Sequence, residues 1–152
     1  MHTHEPRPPS LLALPSYVAG QVSKYGRGII EAALTEHGLR LEHHAIMSAL
    51  RDFGPLSQQQ LSRRLDLDKS HLVGHIDFLQ DRELLTRSPD PDDRRRHRVE
   101  LTEAGHGLIT GLGPAEQRSQ HEFLKTLTDG ERDTLIALLR RVLQANDTAA
   151  QR

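Results

Sequence analysis

Four arginines, Arg94, Arg95, Arg96 and Arg98, fall within five residues, directly after the turn-forming run Ser88-Pro89-Asp90-Pro91-Asp92-Asp93. A guanidinium carries a permanent charge and a planar fork of donors, which suits phosphate oxygens and the negative potential of a narrow minor groove. Asp90, Asp92 and Asp93 lie in the same stretch and offer a second reading, a solvated run of internally paired charges. Asp93 is placed to brace a neighbouring arginine, but one carboxylate cannot neutralise four guanidinium groups.

Upstream, Leu72, Ile76 and Leu79 share one face of a helix at about 100° per residue and point into a core. Ser70, His71 and Gly74 lie opposite, with His75 nearby. Short polar residues in the N-terminal half of a helix suit close contact with base edges, and the helix N-terminus itself attracts phosphate. A mid-helix glycine costs roughly 1 kcal/mol against alanine, so Gly74 suggests that another surface approaches closely. An ordinary amphipathic helix with a solvated polar face fits the same pattern, and Asp77 and Asp81 would repel a phosphate backbone. Lys69 at the start of this helix and Arg63 and Arg64 before it add positive charge that can share one surface with the arginine run.

Local stop and start signals set the elements that position these groups. Ser57 and Gln60 make a capping box with Leu56 and Leu61 as its staple, and Asp68 caps the next helix with Leu67 and Leu72 in the same relation. The predicted helices, about 57–65 and 68–82, are separated by two or three residues. So short a connection forces a steep crossing, the mark of a helix-turn-helix. After Arg82, Leu84, Leu85 and Thr86 read as extended. From Arg94 to Leu101, His97, Val99 and Leu101 alternate with Arg96, Arg98 and Glu100. This predicts a β-hairpin with a proline-rich tip, a wing.

Flanking helices are predicted from Tyr17 to Leu34, stopping near Gly38, and from Leu41 to Phe53, stopped by Gly54-Pro55. Thr102 opens another, broken around Gly111, Gly113 and Pro114. Thr128 and Glu131 box the last, whose apolar stripe includes Leu135, Leu139 and Val142. Residues 1–14 hold three of the eight prolines and read as a disordered tail.

Composition narrows the classes. A chain of 152 residues with 3% aromatics and no tryptophan builds its core from aliphatic side chains, which favours helices. With no cysteine, disulfides, thiolate zinc sites and thiol redox switches are excluded. The N-terminal residues show no apolar run and no segment suits a membrane span, so a soluble cytoplasmic protein is expected. A net charge of -1 means that any nucleic-acid contact must come from a local cationic cluster. No glycine-rich phosphate loop, nucleophile elbow or His-Glu-x-x-His motif is present, so neither an enzyme nor a cofactor is expected. Ten histidines raise the question of a metal. Adjacent His43 and His44 point about 100° apart on a helix and His121 is remote, so surface or pocket-lining imidazoles are expected and no metal site. Imidazoles that titrate near pH 6.5 would make DNA affinity sensitive to pH.

The runs Gly54-Pro55-Leu56-Ser57, Asp68-Lys69-Ser70-His71-Leu72-Val73, Pro91-Asp92-Asp93-Arg94-Arg95 and Leu101-Thr102-Glu103-Ala104-Gly105 resemble the MarR family of bacterial regulators. The likeness holds in order and spacing over roughly residues 15–148, and its most specific part is Asp-Arg-Arg followed by Leu-Thr-Glu-Ala-Gly. It implies a mainly α winged helix-turn-helix with a small β-hairpin wing and N- and C-terminal dimerisation helices. The winged region would cover about 41–101 and the dimerisation helices about 15–38 and 102–148. The implied function is a homodimeric, sequence-specific regulator of transcription on double-stranded DNA, a repressor relieved by a small aromatic or anionic effector. The alternative is a winged-helix protein-interaction module without specific DNA binding.

Carried over by position, Ser70, His71, Gly74 and His75 would face bases and Arg94 the minor groove, while Lys69 and Arg95 serve phosphates. Arg63 and Arg96 complete the candidate DNA-binding set. His44 and Tyr17 are candidates for an effector pocket at the junction with the dimerisation helices. The chain departs from the family pattern at several places. Gly74 and His75 stand where Thr or Arg is common. Arg40, His43 and His44 replace a Thr and a Gln-Phe pair, and Glu83-Leu84-Leu85 replaces Gly-Leu-Val. The base-reading set is therefore unusual.

Overall fold

The aliphatic positions marked by periodicity converge on one core in which Ile46, Met47, Leu61, Ile76, Leu79 and Val99 have no measurable exposure. In the computed structural model, which describes residues 5–152, these side chains come from elements in the order α1 (Pro9–Leu12), α2 (Pro15–Thr35), α3 (Leu41–Phe53), β1 (Leu56–Ser57), α4 (Gln58–Leu65) and α5 (Lys69–Asp81). The chain continues through β2 (Leu85–Pro89), β3 (His97–Leu101), α6 (Glu103–Gly111), α7 (Gly113–Phe123) and α8 (Asp129–Ala150). None of the helices is long and apolar enough to cross a membrane, among the described residues.

Each helix start has a local cause. Pro15 opens α2 at a position where its missing N–H costs nothing. Ser57 Oγ accepts the Gln60 N–H at 3.1 Å while Gln60 Oε1 accepts the Ser57 N–H at 2.8 Å. Asp68 accepts the N–H groups of Ser70 and His71. Thr102 Oγ1 accepts the Gly105 N–H, and Thr128 and Glu131 make the reciprocal box expected of them. The α4–α5 turn closes through Asp66 in the left-handed region, with φ 51°, and the Leu67 N–H donating to Ser62 O.

Three expectations need correction. The tail predicted to be disordered over 1–14 contains the turn α1, because the Pro8 carbonyl accepts the N–H groups of Leu11 and Leu12. Arg7 then anchors it by donating to Gln21 Oε1 at 2.9 Å and to the Tyr17 hydroxyl at 3.2 Å. Residues 1–4 lie outside the described residues. Second, the expected hairpin is present as β2 and β3, but a third strand that was not foreseen joins it. β3 sits between β1 and β2 in a three-stranded antiparallel sheet, with Leu56 opposite Val99 and Leu85 opposite Leu101. Third, Arg94, Arg95 and Arg96 belong to the tip and not to the returning strand. Asp93 Oδ1 accepts the Arg95 N–H and Asp93 O the Arg96 N–H, which turns the chain before β3 begins.

The break predicted near Pro114 falls at Leu112, which is buried at 1% exposure and joins α6 to α7. By contrast α8 buries no residue at all. Its Leu139 is 49% exposed and its Val142 61%. Val18 and Val22 of α2, Phe123 at the end of α7, and Leu135, Ile136 and Leu139 of α8 line an apolar groove of about 550 Å³. Apolar side chains left in water on this scale mark an interaction surface.

Candidate nucleic-acid interface

The question posed by the sequence is where the arginine run lies relative to the polar face of α5. Part of the run and that polar face border separate clefts along the same helix. A cleft of about 330 Å³ is lined by Ser57 and Gln59 at the start of α4, Lys69 and Val73 of α5, and Arg95 and Arg96 of the wing. A second cleft, about 520 Å³, is lined by Arg40, His43, Ser70, His71, Gly74 and His75. The outward ridge of α5 is thus flanked by two concavities. A projecting helix beside a cationic loop is a shape that a major groove about 12 Å wide admits.

Residue by residue, the expected contacts sort unevenly. His71 and Gly74 are exposed on the ridge, and a Cβ built on Gly74 meets nothing within 4 Å. The fold itself makes no demand for glycine there. Ser70 is spent on the cap, since its hydroxyl donates to the Asp68 carboxylate; this bond, with the backbone N–H groups of Ser70 and His71, holds the Asp68 carboxyl below its ordinary range. His75 is half-buried, with Nδ1 3.2 Å from His43 Nε2. Lys69, Arg94, Arg95 and Arg96 are all exposed, and Asp93 braces Arg96 at 3.5 Å. Arg63 is exposed at the end of α4 but lines neither cleft, and Arg64 turns away over the Phe53 ring at 4.0 Å.

The two candidate effector residues are engaged separately. His44 Nε2 pairs with Glu116 Oε1 of α7 at 2.7 Å, while the Tyr17 hydroxyl accepts from Arg7. His121 lies 3.1 Å from Arg132 Nη1. Among the described residues, no three His, Cys, Asp or Glu side chains come together as metal ligands.

Comparison with known proteins places this geometry. The chain is 37% identical over 103 residues to the HTH-type transcriptional repressor NicR of Pseudomonas putida, a match covering 68% of this chain and 65% of that repressor. It is 30% identical to a putative transcriptional regulatory protein for the hcr operon of Thauera aromatica, over 86% of this chain and 79% of that protein. Among solved structures it resembles Bordetella bronchiseptica BpsR, with a TM-score of 0.76 and 26% identity over 84% of this chain and 96% of that one. Residues 39–97 match the MarR family profile. The chain belongs to the MarR family.

Two groups that matter to this MarR-family regulator escape a reading of its sequence. Arg87 of β2 donates to Gln80 Oε1 at 3.0 Å and reaches Asp77 Oδ1 at 2.6 Å and Val73 O at 3.4 Å. It ties the root of the wing to α5 and pairs with Asp77, one of the two acids that counted against a phosphate contact. An acidic residue on a helix expected to face phosphate was the signal to look for a cation beside it. The other group is His43, which is 3% exposed and stacks on Phe78 at 4.3 Å. Its Nδ1 accepts the Arg40 N–H at 3.0 Å, taking the place of the glutamate or glutamine usual in a capping box.

Burial first, and the neighbouring His75 second, bring the His43 imidazole down to about 4. Glu42 opposes this shift, while Arg40 and Arg82 reinforce it. In the unfolded chain the ring takes a proton near pH 6.5. Between those values the unfolded state binds more protons, so stability falls as pH drops from 6.5 towards 4 and is complete above 6.5. Urea unfolding at pH 7.5 and 4.5 should show the wild type losing about 2 kcal/mol more than His43→Gln. Equal losses in the two proteins would mean that His43 is not held neutral.

Proposed function

We propose that this regulator is a homodimer that binds double-stranded DNA sequence-specifically and acts as a repressor relieved by a small aromatic or anionic acid. One observation carries the proposal: the exposed ridge of α5 stands between two clefts, one reaching the wing through Arg95 and Arg96 and the other lined by Ser70, His71, Gly74 and His75. Insertion of α5 into the major groove would bring Arg94 to the neighbouring minor groove and Lys69 and Arg95 to phosphates. The net charge of -1 is no obstacle, because Lys69, Arg95 and Arg96 line one cleft together and Asp77 is paired internally.

The apolar groove between α2, α7 and α8 supports pairing of two copies, which would present two helices to two half-sites. NicR is named a repressor, and the DNA binding of BpsR is regulated by 6-hydroxynicotinic acid. In this chain a ligand carboxylate competing with Glu116 for His44 would loosen α3 from α7, giving the effector a route to the DNA-binding face.

The test is fluorescence anisotropy with duplex fragments from upstream of the protein's own coding region, across a range of salt concentrations. Wild-type affinity should fall steeply with salt. Arg94→Ala should weaken binding about tenfold and lower the salt slope by about one per protomer engaged, with an unchanged melting temperature because the side chain is exposed. Equal affinity of the two proteins would remove the wing from the interface. Salt-independent or absent binding would favour a protein-interaction module.

A further inference from the structure

Neutral imidazole has two tautomers, and exchanging them swaps donor for acceptor at each edge of the ring. A histidine on a recognition helix with neither nitrogen fixed would therefore offer two patterns to the same base pair. His75 is not in that position. The backbone N–H of Arg40 can only donate, and it lies 3.0 Å from His43 Nδ1. That nitrogen is an acceptor, so the neutral His43 ring carries its proton on Nε2. This Nε2–H is directed at His75 Nδ1, 3.2 Å away, which must accept. The His75 proton is left on Nε2, the ring edge turned away from His43.

The surroundings make this a built arrangement. The His43 ring is nearly parallel to Phe78, at 6°, and meets His75 edge-on at 78°, so its plane and both its hydrogen bonds are fixed together. Among the described residues, His75 Nε2 has no hydrogen-bond partner. The cleft bounded by Arg40, His71 and Gly74 opens beside it, and Gly74 puts no side chain in the way.

We propose that Arg40 and His43 form a hydrogen-bond relay that locks His75 as its Nε2–H tautomer, making His75 a specificity-determining donor for an acceptor on a base edge in the major groove. This rests on the DNA-binding reading above. The acceptors that fit are purine N7, guanine O6 and thymine O4; the amino groups of adenine and cytosine are rejected at the same point. His43 is thus a positioning residue that touches no DNA, and His75 is the reader.

Two measurements test it. Long-range proton–nitrogen correlation spectra of the 15N-histidine-labelled protein, free of DNA at pH 7.5, report which nitrogen is protonated, with His75 assigned through His75→Gln. Both His43 and His75 should show bare Nδ1 and protonated Nε2. An Nδ1–H form or a tautomer average at His75 overturns the relay, whatever the protein does with DNA. His43→Phe keeps a ring against Phe78 but cannot donate, and should shift His75 to the averaged pattern. His43→Gln, whose amide can accept from Arg40 and donate to His75, should restore the lock. If the Phe variant does not fold, the wild-type and Gln spectra decide the relay without it.

The second measurement is selection from a pool of randomised duplexes, followed by affinities for the selected sequence and its single-base variants. The wild type should discriminate about tenfold at one position of each half-site in favour of the acceptor bases. His43→Phe should fall to about twofold there, with other positions unchanged, and His43→Gln should recover. Full discrimination by His43→Phe alongside an averaged His75 overturns the specificity role. If the wild type selects no sequence while its spectrum shows the lock, the DNA-binding function fails and the relay stands as structure alone.

Discussion

Gly105→Ala should destabilise the protein by more than about 3 kcal/mol, enough to lower its melting temperature by about 10 °C or more. A Cβ on Gly105 would lie 2.0 Å from the Leu84 carbonyl oxygen and 3.0 Å from Leu101 Cδ2. Neither can retreat cheaply. The Leu84 oxygen accepts the Thr102 N–H at 3.1 Å, the Thr102 hydroxyl donates to Glu83 O at 2.7 Å, and Glu83 already holds a left-handed φ of 59°. Moving the carbonyl would open the junction where the wing returns to α6. Gly107, two residues on and with nothing within 4 Å of its Cβ, supplies the control. Gly107→Ala should be neutral or should gain up to roughly 1 kcal/mol from helix propensity. Urea unfolding followed by circular dichroism separates the two, and a Gly105→Ala curve superimposed on wild type would refute the close packing.

Leu139→Glu should convert the protein to monomers and cost about 100-fold or more in affinity for a two-half-site duplex. Leu139 stands half-exposed on α8, and the apolar groove there is filled by no other part of the described chain. A carboxylate in this apolar groove would be desolvated when a second copy covered it. Once the copies separate, the second half-site no longer benefits from the high local concentration created by the first. The core holding α5 and the wing should survive, since α8 contributes no buried residue to it. Sedimentation velocity and anisotropy on the same samples check both halves. A dimer with wild-type affinity would place the interface elsewhere.

What could be read from the sequence follows from the range of the forces involved. Ser57 with Gln60, Asp68 with the next turn, and Thr128 with Glu131 act over two or three residues, so their helices start where the letters say. The apolar spacing of Leu72, Ile76 and Leu79 set the face of α5 for the same reason. Pairings across the fold were not visible. Arg87 finds Asp77 ten positions back only because β2 packs on α5, and Leu56 joins the sheet only because β3 passes beside it. His43 was read as one imidazole among many. Its neighbours His75 and Phe78 come from a helix more than thirty residues away. The site was thus legible as a cluster of charges and a polar helix face, while the contacts that orient it needed the fold.

The Arg87 bridge has a mechanical consequence. Because one guanidinium fastens the root of the wing to Asp77, Gln80 and Val73, the wing cannot swing independently of α5 without breaking all three contacts. Helix and strand root would then move as one caliper jaw. If the protein pairs as proposed, a signal that releases it from DNA would gain little by reshaping one jaw. It would act on the gap between the jaws of the two copies, so that their span no longer matched the helical repeat of the duplex.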